Sequence, residues 1–127
     1  MKEDKKEVEN SIQTVKSFLL NCRYLFIKIT KSPFVIHDDL IILRNACLSE
    51  LQDNERKMLI SIFHALNSLD TEQKKIIFYK YLSFQSMYDF EIQNDLALSQ
   101  RTYYRKKRSA LIKLAVALNL LKVTVSI

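Results

Sequence analysis

Between Leu98 and Leu118 the chain reads LSQRTYYRKKRSALIKLAVAL, a stretch that holds Arg101, Arg105, Lys106, Lys107, Arg108 and Lys113 and no acid. Cationic groups at this density bind anions. Arginine offers two coplanar donors that match a phosphate or the O6/N7 edge of guanine, whereas lysine supplies a point charge. At a helical period, Arg101, Arg105 and Arg108 share one ridge about 10 Å long. Gln100 and Tyr104 flank it, and Lys106 and Lys113 lie on the other shoulder. Tyr103, Lys107, Ala110, Leu114, Ala117, Leu118 and Leu121 fall opposite, a core face interrupted by one lysine. A helix that merely faces water mixes signs, because i,i+4 pairs of opposite charge stabilise it. Six like charges without such relief imply a polyanionic partner, with nucleic acid ahead of a membrane surface.

The charge distribution of the whole chain agrees. The formal net charge is +6, but the last acid is Asp95. Residues 96–127 contain seven of the 20 Lys and Arg, so the other 13 share the first 95 residues with all 14 acids. The excess positive charge therefore sits in the final quarter.

With 127 residues and 48% hydrophobic side chains, the chain supports a packed core in one domain, or in a small domain with a helical appendage. The opening MKEDKKEVEN is charged, and the longest uncharged apolar stretch, LAVALNLL, is too short to span a bilayer. A cytoplasmic protein without membrane contact is expected. Cys22 and Cys47 lack CxxC partners and read as buried reduced thiols rather than a disulfide.

The elements that position the basic stretch follow from periodicity and capping. Apolar residues at Val8, Ile12, Val15, Phe18 or Leu19, Cys22, Leu25 or Phe26 and Ile29 predict an amphipathic helix from about Glu7 to Thr30. Pro33 ends it. The segment VIHDDLIILRNACLSE is ambiguous. Val35, Ile36, Ile41 and Ile42 suit a strand, but Asp38 or Asp39 suits a helix cap. The absence of glycine disfavours tight hairpins, so a short helix through Cys47 is expected. Further helices are expected from about Gln52 to Leu66, after a cap at Asp70 or Thr71, and briefly from Tyr88 or Asp89. A last long helix is capped by Ser99. Phe78, Tyr79, Tyr81, Phe84 and Tyr88 are expected to build a small core beneath it.

A short helix, a three-residue turn at Ala97 and a long basic helix form a helix-turn-helix layout. The fold class expected is all-α. Residues 1–50 are read as an N-terminal region of amphipathic helices, and residues 51–127 as the helix-turn-helix domain. Other chemistry is weak. His37, Asp38 and Asp39 are adjacent, and adjacent residues of a regular helix cannot converge on one ion. No local pairing of Cys22, Cys47, His37 or His64 indicates a nucleophile. No enzyme activity, metal or cofactor is expected.

From Ser99 to Leu114 the chain resembles, without gaps, the promoter-reading helix in region 4 of primary sigma factors. Ser99 stands at the capping position, Tyr103 at a core position, and Ala110-Leu111 and Lys113-Leu114 match its Ala-Leu and Lys-Leu pairs. The chain departs from that pattern at Lys106, which replaces an isoleucine. It departs again at Gln100, Arg101 and Arg105, which stand where the family has its base-reading Arg, Glu and Gln, so the family's promoter-element specificity does not carry over. The chain more closely resembles the ArpU-like phage regulators, related in style to RinA-type activators. That resemblance rests on Ser68-Leu69-Asp70, Lys80-Tyr81-Leu82, Glu91-Ile92, Leu98-Ser99, Arg101 through Arg105, Ala110-Leu111, Leu114-Ala115 and Ala117-Leu118. It implies a DNA-binding transcriptional regulator, an activator of phage or prophage genes, with a sigma-like helix-turn-helix. The alternative is a phage packaging or replication adaptor with the same reader helix.

The residues expected at double-stranded DNA are Ser99, Gln100, Arg101, Thr102, Tyr104, Arg105, Lys106, Lys107, Arg108 and Lys113. Gln100, Arg101 and Arg105 are assigned to base edges, and Tyr104 to a thymine methyl or the backbone. Lys106, Lys107, Arg108 and Lys113 are assigned mostly to phosphates. One reader helix gives limited affinity, so a homodimer or an RNA polymerase contact is expected. The N-terminal helix either supplies that interface or covers the core.

Overall fold

The long apolar stripe near the N-terminus does form one helix, α1 (Lys2–Lys28), which begins earlier than its first apolar residue. The computed structural model describes the backbone of residues 2–119 and the side chains of residues 5–46 and 48–119. Leu121 and the side chain of Cys47 lie outside these. Thr30 takes a left-handed conformation (φ 57°) and ends the helix, with the Lys31 N–H reaching back to the Phe26 carbonyl at 3.0 Å.

The next segment adds one small sheet to an otherwise helical fold and corrects the short helix expected there. Residues 34–43 form a hairpin and not a helix, and only the last residues of the expected helix, from Asn45, are helical, as a 3₁₀ turn. Strands β1 (Phe34–His37) and β2 (Leu40–Leu43) pair antiparallel, with Phe34 opposite Leu43 and His37 opposite Leu40. Asp38 (φ 49°) and Asp39 (φ 66°) supply both positive dihedrals of a two-residue hairpin turn, the role glycine and asparagine usually take. Lys75 holds the Asp39 carboxylate at 2.6 Å. A 3₁₀ turn (Asn45–Glu50) leads into α2 (Asp53–Leu66), where the Glu55 carboxylate accepts the Gln52 N–H at 2.9 Å.

Helix α3 (Thr71–Ile77) starts at a reciprocal cap. Asp70 Oδ1 accepts the Gln73 N–H at 2.8 Å, and Gln73 Oε1 accepts the Asp70 N–H at 3.1 Å. It widens into a π turn (Phe78–Leu82), and α4 (Asp89–Asp95) and α5 (Gln100–Ala117) follow. The described residues are thus mostly helical, with one small two-stranded sheet.

Two clusters of buried side chains hold these elements. The larger joins Ile12, Val15, Leu19, Cys22 and Phe26 of α1 to Phe34, to Leu59 and Ile62 of α2, and to Ala110, Leu111, Leu114 and Ala115 of α5. Of the two roles open to α1, it fills that of core cover. Burial pushes the Cys22 thiol up to about 12, so it stays protonated. The core face of α5 is rotated from the expected one. Leu111 and Ala115 are buried, whereas Ala117 is exposed. The smaller cluster consists of Ile76, Ile92 and Tyr103, ringed by Tyr79, Met87, Leu96 and Leu98. Phe78 and Tyr81 are buried as expected, but Phe84 and Tyr88 are exposed, and Tyr88 stacks on Phe90 at the surface. No helix among the described residues is long and apolar enough to cross a membrane.

The turn between α4 and α5 contains a strained residue. Ala97 has φ 53°, and the Leu98 N–H reaches the Gln93 carbonyl at 3.0 Å. A left-handed L-residue costs roughly 1–2 kcal/mol, and glycine's larger unfolded-state entropy returns roughly 0.5–1 of that. Ala97→Gly is therefore expected to stabilise the protein by about 0.5–1 kcal/mol, seen as a higher urea midpoint at unchanged slope.

Candidate nucleic-acid interface

Helix α5 begins where Ser99 turns from extended backbone into helix. Its Oγ accepts the Thr102 N–H at 3.2 Å and lies 2.9 Å from the Thr102 hydroxyl. Thr102 is thereby held in the cap and is only half exposed. Gln100, Arg101, Tyr104, Arg105 and Arg108 are exposed along the next two turns. Arg101 and Arg105 stand four residues apart and make no ion pair among the described residues.

The other four cations of α5 depart from the expected unrelieved ridge. Lys106 pairs with Glu72 of α3 at 3.1 Å, Lys107 with Asp89 of α4 at 3.0 Å, and Arg108 with Glu9 of α1 at 2.5 Å. Lys113 donates to Gln73 Oε1 at 3.0 Å. The repulsion inferred from α5 alone is relieved by acids on three neighbouring elements, which i,i+4 accounting does not see. The relief is uneven. Arg108 is 48% exposed and remains at the surface, whereas only 12% of the Lys107 side chain is exposed. Lys107 is thus an internal tie, not a solvent-facing phosphate ligand.

Asp89 is the residue that the sequence reading passed over. It sits in the first turn of α4, where its carboxylate accepts the Tyr103 hydroxyl at 2.6 Å and the Lys107 ammonium at 3.0 Å, with Lys80 3.6 Å away. Burial opposes its ionisation, but Tyr103, Lys107 and Lys80 outweigh that and hold the carboxyl below its ordinary range. Burial, together with the same contact, pushes the Tyr103 hydroxyl well up. The signal in the sequence is an acid at the start of a short helix, a position that suits a cap as well as a tie to the next helix. A second tie is the buried Gln73 amide, which donates to Ser109 Oγ at 3.1 Å and joins α3 to α5. Arg23 of α1 adds a third. Its guanidinium donates to the carbonyls of Tyr81, Ser83 and Phe84 at 3.2, 2.7 and 2.9 Å, closing the open end of the π turn.

His37 closes β1 beside the two turn aspartates, and no group of three or more His, Cys, Asp or Glu among the described residues could hold a metal ion. No family model matches the chain, and no curated protein or solved structure matches it at a significant level.

Asp89 also predicts a pH dependence. A carboxyl whose folded pKa lies below its unfolded value of about 3.9 stabilises the fold above that pH, and the contribution is lost as pH falls through the folded value. Asp89→Asn is expected to cost about 1–3 kcal/mol at neutral pH, because Lys107 loses its buried partner. Urea unfolding of the variant should show less loss of stability than wild type below about pH 4. Parallel curves at all pH values would rule out this role.

Proposed function

We propose that the protein is a sequence-specific duplex-DNA-binding regulator whose α4–turn–α5 unit works as a sigma-like helix-turn-helix, with α5 entering the major groove. The observation that supports this best is the pair Arg101 and Arg105. Both are exposed on the first half of a helix of 18 residues, and neither makes an ion pair among the described residues. Two guanidinium groups a turn apart, beside an exposed Gln100 and Tyr104, match the donors that read guanine and adenine edges. The residues of α5 that share the larger core with α1 are Ala110, Leu111, Leu114 and Ala115, all in its second half. In this reading Gln100, Arg101 and Arg105 meet base edges and Tyr104 a methyl or sugar. Lys106, Arg108 and Lys113 meet phosphates by exchanging their internal partners.

The likeness of residues 68–118 to ArpU-like phage regulators supports a transcriptional role, activation of phage or prophage genes. RNA polymerase contact or a second copy would supply the remaining affinity. Selection of bound sites from random duplex DNA tests the reading, because a chain that enriches no sequence over the starting pool is not a sequence-specific binder. On the selected site, Arg105→Ala should weaken binding by about 1–3 kcal/mol and broaden base preference at one position. Equal weakening on selected and random duplexes would instead make Arg105 a phosphate ligand.

A further inference from the structure

An open groove of about 220 Å³ runs between the N-terminal part of α1 and α5, and Glu9, Gln13, Lys16, Tyr104 and Arg108 are among its walls. It adjoins the exposed face of α5, because Tyr104 lies between Arg101 and Arg105 in sequence and on the same side. Three cations border the groove, and their needs differ. Lys107 is held by Asp89, Arg108 takes the Glu9 carboxylate, and Lys16 makes no ion pair among the described residues. Burial, opposed by Asp89, lowers the Lys107 pKa, and the charges of Lys80 and Lys16 add to the effect. Lys16 lines the groove together with Lys107 and Arg108.

We propose that this groove is a second DNA contact, which takes one backbone phosphate between Lys16 and Arg108. Gln13 and Tyr104 serve as its neutral hydrogen-bonding walls. The site rests on the reading of α5 as the DNA-facing helix, and it brings α1, so far only a cover, into the interface. Glu9 is the internal anion that the phosphate replaces. A carboxylate already bound to Arg108 shows that the guanidinium is directed at an oxyanion, and both side chains are about half exposed (48% and 54%). An exposed pair of this kind is weak enough to exchange. A phosphodiester can engage Lys16 as well, and this lysine, which has no ion pair among the described residues, gains a counter-charge. A contact of this type carries no base information and fixes the position of α5 along the duplex.

The test is a salt titration of binding to a mixed-sequence duplex and to the selected site. Lys16→Ala should weaken both several-fold and by the same factor, and should reduce the slope of log affinity against log salt by about 0.9. Glu9→Gln should act in the opposite direction and tighten both, since Arg108 is released. Lys57→Ala, the same charge change on the exposed face of α2, should alter the slope less than Lys16→Ala. Far-UV circular dichroism and urea unfolding establish that each variant is native. A wild-type protein that binds duplexes with a slope untouched by Lys16→Ala overturns this site alone. One that binds no duplex overturns the DNA reading itself, and the site with it. If inorganic phosphate raises the melting temperature while Lys16→Ala leaves the DNA slope unchanged, the groove is a free-anion site and the proposal is wrong.

Discussion

A single carboxylate, that of Asp89, sets the relation between the short helix α4 and the basic helix α5. It is filled from two points on α5, four residues apart, by the Tyr103 hydroxyl and the Lys107 ammonium. Two bonds to one helix fix its rotation about its own axis as well as its distance. The apolar contact beneath is thin, with three fully buried side chains at Ile76, Ile92 and Tyr103. At about 1.5–3 kcal/mol per buried side chain, such a cluster cannot by itself offset the ordering of the elements it joins. The polar tie is therefore a structural requirement. Removing one partner would leave a partly buried charge unanswered, which costs more than the bond contributes.

The rest of the molecule extends the same constraint. Gln73 fixes α5 to α3, and Arg23 fixes α1 to the end of the π turn, where helical geometry leaves carbonyls open. Below these ties, Leu111, Leu114 and Ala115 lie in one core with α1 and α2. Helix α5 is thus clamped over its second half and along one side of its first half. The free side of the first half is the part that holds Arg101, Tyr104 and Arg105. Recognition of a duplex favours this division, because side chains that read base edges gain specificity from a backbone that does not move.

Local rules made most of the helical framework legible. Ser99 and Asp70 cap as their side chains require, and the spacing of Val8 through Ile29 located α1. The hairpin was not legible for a specific reason. Without glycine, the tight turn had to come from two consecutive aspartates in left-handed conformations, residues that equally suit a helix cap. The rotation of the α5 core face was missed because α5 is contacted by both α1 and α3, so its buried strip is wider than one ridge and reaches Leu111 and Ala115. The ion pairs of Lys106, Lys107 and Arg108 join residues 34, 18 and 99 positions apart, separations at which sequence proximity has no bearing on contact.

Those pairs change which cations matter rather than whether the helix is basic. Exposed ion pairs are worth about 0–1 kcal/mol, so a phosphate can displace Glu9 from the half-exposed Arg108 at small cost, whereas Lys106, at 23% exposure, holds Glu72 in a more sheltered pair. Asp89 cannot be displaced from Lys107 in that way, since it also holds Tyr103 and is itself three-quarters covered. The six charges of the basic stretch therefore divide by physical state. Arg101 and Arg105 are exposed without an ion pair among the described residues, Lys106, Arg108 and Lys113 each hold a partner on a neighbouring element, and Lys107 belongs to the fold. Positive charge counted along the helix overstates what a polyanion can reach. Lys16 of α1 lies outside that stretch and faces the same groove, so a count confined to α5 also omits part of the reachable charge.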